Sequence, residues 1–110
     1  MNKEKLQKDI NTFWDDEIVP TLVEYIKIPN KSPAFDPDWE KNGHMEKVLQ
    51  LAKNWVEKHK PSGSILHIKR LEGRTPLLML EIPGQRDGNI LMYGHLDTVS
   101  YTHLTLPTNR

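Results

Sequence analysis

The hydrophobic period of this chain changes once, and that change limits the fold more than any other feature. Up to Val56 the apolar residues recur at spacings of three and four, as one buried face of a helix requires. From Ser64 onward they gather into short continuous runs bounded by Gly and Pro, the pattern of strands. Leu6, Ile10, Phe13, Trp14, Ile18, Leu22, Tyr25 and Ile26 form the first stripe, between Lys3 and Ile28. Pro20 interrupts it, and a proline inside a helix removes one donor and clashes with the preceding turn. The stretch therefore predicts either a kinked helix or two helices, the second starting near Val19. Pro29-Asn30-Lys31-Ser32-Pro33 ends it, because the residue before each proline is driven out of the helical region.

Met45, Val48, Leu49, Ala52, Trp55 and Val56 form a second stripe after the loop signal Asp36-Pro37-Asp38. Lys58, His59 and Lys60 put positive charge where a helix C-terminus favours it, and Pro61-Ser62-Gly63 breaks the chain. Ser64 to Leu71 and Pro76 to Ile82 then read as two strands joined through Glu72-Gly73-Arg74-Thr75. A turn at Gln85-Arg86-Asp87-Gly88 leads to a third strand, Asn89-Ile90-Leu91-Met92-Tyr93. Its lack of polar alternation predicts burial on both faces. The order predicts an α/β fold: two N-terminal helical segments, then the first three strands of an incomplete mixed sheet.

Charged residues make up 27% of the 110, and the formal net charge is zero. With no dominant sign and no basic block, nothing electrostatic points to nucleic acid or a membrane surface. The chain has no cysteine, so disulfides and thiolate zinc sites are excluded and any metal falls to His, Asp and Glu. The N-terminus shows neither a signal peptide nor a membrane span, and a cytoplasmic protein is expected.

The chemistry-bearing string is Gly94-His95-Leu96-Asp97, directly after the third apolar run. The C-terminal end of a sheet strand is where α/β proteins place their sites. In an extended segment, residues i and i+2 point to the same side, so His95 and Asp97 reach one place. A neutral imidazole binds zinc, and a carboxylate accepting the other ring N–H fixes the tautomer and raises ligand basicity. The alternative for a bare His-x-Asp triplet is a hydrogen-bonded loop histidine.

The string Asn89 to Asp97 resembles the first metal-site motif of a dinuclear zinc peptidase family. That family includes carnosine dipeptidase, aminoacylase, glutamate carboxypeptidase and succinyl-diaminopimelate desuccinylase. Tyr25 to Pro33 is similar to its early helix-to-loop segment, and Gly73-Arg74-Thr75-Pro76 with the following strand is similar to its dipeptidase members. The resemblance covers Lys3 to Asp97. It implies a metal role for His95 and a catalytic-site role for Asp97, which orients His95 rather than binding metal. It further implies two zinc ions (cobalt or manganese in their place), a dipeptide or N-acyl amino acid substrate, and a homodimeric parent protein. The family's remaining ligands and its general base come later in its sequences, so this fragment is expected to be inactive.

Residues 99–110 are expected to be a non-native tail, leaving 1–98 as the N-terminal part of a metallopeptidase catalytic domain. Val99 to Thr108 resembles the conceptual translation of a transposase-type sequencing adapter, which removes His103 from the ligand candidates. Two rival readings stand beside this one. In the first, the chain is a small non-catalytic α/β binding module whose His95 and Asp97 brace a loop. In the second it is a mononuclear metal hydrolase, although those usually carry a second nearby His and none precedes Asp97 in that position.

Overall fold

Pro20 decides how the first helical run is built. In the computed structural model, which describes residues 1–98, the run is continuous but changes winding in the middle. It consists of α1 (Lys3–Phe13), a π-helical turn (Trp14–Ile18) and α2 (Val19–Lys27). Asn2 caps the start, its side chain accepting from the Lys5 N–H at 3.0 Å. At the π turn the Val19 N–H reaches back five residues to the Trp14 carbonyl. This wider turn sits directly before Pro20, whose ring would otherwise press on the carbonyl four residues back. The Thr21 hydroxyl donates to the neighbouring Glu17 carbonyl at 2.8 Å. The proline is thus absorbed by a local widening, and α2 starts at Val19.

Ile28 leaves the helix in extended geometry before Pro29. After the loop comes a single turn, α3 (Trp39–Asn42), stopped by Gly43 at φ +72°, a left-handed conformation suited to glycine. The second expected stripe becomes α4 (His44–His59). Its N-terminal half holds the three buried apolar side chains among the described residues: Met45, Val48 and Leu49. At the other end Trp55 and His59 stack at 4.0 Å between ring centroids, and Phe13 of α1 meets both edge-on. Lys58 pairs with Glu17 at 3.1 Å, a solvent-facing ion pair worth about 0–1 kcal/mol.

Two strands follow, β1 (Ile65–Lys69) and β2 (Leu77–Glu81), paired antiparallel with Leu66 opposite Leu80 and Ile68 opposite Leu78. Those four are half-buried on one face, while Ile65, Leu77 and Met79 are exposed on the other. An Arg70–Glu46 ion pair ties the hairpin to α4.

The expected third strand does not form. Residues 89–93 join no ladder, and Ile90 is 92% exposed and Tyr93 88%, where burial on both faces was predicted. The sheet is therefore a two-stranded antiparallel ribbon rather than a three-stranded mixed one. A strand exists only where its backbone hydrogen bonds find a neighbour, and residues 89–93 pair with neither outer edge of the ribbon, so their apolar content is not buried. Downstream, Thr98 is anchored to Lys31, in the loop after α2, by an isolated parallel bridge. The adapter-like string and His103 lie outside the described residues. No helix among the described residues is long and apolar enough to cross a membrane.

Candidate metal-ligand site

Gly94 to Asp97 continues the exposed extended segment, and the i, i+2 spacing brings two side chains together. The Nδ1 of His95 lies 2.8 Å from the Asp97 carboxylate and 3.0 Å from the Asp97 backbone carbonyl. Both partners accept, so Nδ1 carries the proton and Nε2 is the free nitrogen of the neutral ring. The ring is 70% exposed and the Asp97 side chain 29%, so Nε2 is open to a ligand while the carboxylate is partly screened from water. The Asp97 side-chain hydrogen bond, followed by its backbone bond and its charge, raises the His95 pKa above the ordinary value.

The residues that hold this pair come from the other end of the chain. The Leu96 carbonyl accepts from the Tyr25 hydroxyl at 2.6 Å and from Asn30 Nδ2 at 3.3 Å. The Asn30 carbonyl accepts the Thr98 N–H at 2.8 Å and the Thr98 hydroxyl at 2.9 Å. The Ser32 N–H donates to the Thr98 carbonyl at 2.8 Å. Asn30 is 3% exposed, the one buried polar residue among those described. Burial first, and the Asp97 charge second, raise the Tyr25 pKa, so its phenol keeps its proton and donates through the neutral range. Thus Tyr25 to Ser32, within one stretch that carries the family resemblance, meets Leu96 of the other stretch and the adjoining Thr98 in space. Sequence reasoning did not give Tyr25 or Asn30 a role. The available signal was an asparagine in the Pro-bounded loop at a helix exit, where its side chain can bond backbone.

Two of the other histidines are engaged elsewhere: His59 in the Trp55 stack, and His67 with Glu81 at 3.2 Å across the ribbon. Arg74 lies exposed between the strands. An open apolar trough of roughly 530 Å³ runs between α2 and α4, with His95 and Leu96 at its rim. Among the described residues no group of three or more His, Asp or Glu side chains is arranged to hold a metal ion. The donor set fits one corner of a zinc site: a single imidazole with its tautomer fixed by a carboxylate. No protein-family model and no curated protein matches this chain. Any family reading therefore rests on its own residues and geometry.

Proposed function

We propose that residues 1–98 are the N-terminal part of the catalytic domain of a cytoplasmic zinc-dependent peptidase that hydrolyses dipeptides or N-acyl amino acids. In this reading His95 is one zinc ligand through Nε2, and Asp97 holds the ring from behind. The observation that carries it is the ring geometry: Nδ1 bound to a half-screened carboxylate, Nε2 facing outward, directly after an apolar run and a glycine. Zinc, when bound, would polarise the scissile carbonyl and lower the pKa of a bound water. The residues of this chain would place the proton of the neutral ring on Nδ1, leaving Nε2 as the nitrogen that meets the metal, and hold the ring still.

The uncovered apolar surface supports the same reading over a self-sufficient binding module. Ile90 to Tyr93, the outer face of the ribbon and much of α1 and α2 stay exposed, as expected of elements that pack against further sheet. By itself this chain is expected to be inactive, since a catalytic zinc takes about three protein ligands and an open position.

The test is to recover the frame downstream of Asp97 by long-read sequencing, express the whole product and assay dipeptides and N-acyl amino acids. The proposal expects an Asp about thirty residues on and then a Glu-Glu pair, a spacing that the family resemblance supplies, with chelator-sensitive hydrolysis abolished in His95→Ala. A native frame that encodes Ser100 to Arg110 and ends there, or hydrolysis indifferent to chelator and to His95→Ala, would contradict it.

A further inference from the structure

The His95–Asp97 contact belongs to a segment that cannot hold itself in place. The preceding residues Ile90 to Tyr93 have no ladder partner among the described residues and stand open to water. A chain so placed samples many backbone conformations, and a contact between residues two apart would be transient. Yet five hydrogen bonds converge on Leu96 and Thr98, all from the segment between Tyr25 and Ser32. Tyr25 stands in the last turns of α2 and so delivers its hydroxyl from a rigid element. Asn30, 3% exposed, lies deeper still.

We propose that Tyr25 and Asn30 are positioning residues for His95, acting through the Leu96 carbonyl. The carbonyl they grip belongs to the peptide unit that joins Leu96 to Asp97. Fixing that unit fixes the direction in which the Asp97 side chain leaves the backbone, and so the carboxylate's place against Nδ1. The Thr98 bonds close the other side, so Asp97 is held between two anchored residues. The effect is to keep the proton on Nδ1 and leave Nε2 bare, which is the form that a metal requires. The tautomer effect stands on hydrogen bonding alone, but its functional meaning rests on the ligand role proposed for His95.

The decisive measurement is the ring-nitrogen NMR spectrum of the full chain at a pH where His95 is neutral. The wild type should show a protonated Nδ1 and an imine-type Nε2. Tyr25→Phe, which removes one oxygen and leaves the ring in place, should lose part of that signature to the opposite tautomer. Asn30→Ala should do the same, and Asp97→Ala, which leaves only the backbone carbonyl to accept from Nδ1, should lose more of it than either. The amide signals of Val48 and Leu49 report on whether each variant keeps its helical core, and Tyr25→Phe decides the case if Asn30→Ala loses them. A Tyr25→Phe chain with its core intact and the Nδ1–H form undiminished would overturn the proposal. That result would leave the peptidase reading untouched, and a parent enzyme that needs no zinc would leave the tautomer result standing.

Discussion

Helix α4 and the segment Ile90 to Tyr93 are both rich in apolar side chains, yet they end in opposite surroundings. Val48 in α4 is 2% exposed and Ile90 is 92% exposed. A helix closes its hydrogen bonds within itself, so α4 needs a neighbour only to cover its apolar face. A strand has no internal bonds and takes shape only when a neighbour offers an edge. The hairpin β1–β2 makes its own neighbour through a short connection, but Ile90 to Tyr93 has none within the described residues. Apolar content alone therefore does not bury a segment; the source of its backbone partners does.

The widest gap between the two regions should appear when the same substitution is made in each. Leu49→Ala should cost about 2–3 kcal/mol, from lost burial and the cavity left behind. Leu91→Ala should stay within about 0.5 kcal/mol, as exposed positions do. Urea unfolding followed by circular dichroism measures both, and a Leu91→Ala loss equal to that of Leu49→Ala would break the comparison.

An intermediate effect is expected where the exposed segment is finally caught. Thr98→Val keeps the shape and removes the hydroxyl bond to the Asn30 carbonyl, which should cost about 1 kcal/mol in the same assay. A neutral result would mean that the hydroxyl bond adds nothing to the two backbone bonds that hold Thr98.

The smallest effect concerns pH. Because folding raises the His95 pKa, the folded chain binds that proton more tightly than the unfolded one. Its contribution to stability is fully present below the unfolded value near 6.5 and is lost as pH rises through the raised folded value. The ring is open to solvent, so the shift in unfolding midpoint should be slight, and an NMR titration will show it more clearly. Asp97→Ala, which removes the side-chain bond and the charge but not the backbone bond, should lower the His95 pKa toward the ordinary range.

The same distinction between local and distant partners explains what the sequence reveals. Both long helices follow from periodicity, and the start of α2 at Val19 from Pro20, since their determinants lie within a few residues. The strands β1 and β2 and the turn between them are equally legible. The His95–Asp97 pair is legible too, because i and i+2 share a side in any extended chain. What the residues do not reveal is the absence of a third ladder, or the grip on Leu96. Tyr25 and Asn30 reach it from 71 and 66 positions away, and no local pattern encodes a contact at that separation.

His95 as a zinc ligand supported by Asp97 is tested most directly by the zinc content and affinity of the complete gene product. His95→Ala should lose one of two bound zinc ions, and Asp97→Asn should keep both while weakening that site about 10–100-fold. A His95→Ala protein that retains its full zinc content with unchanged affinity would contradict the account.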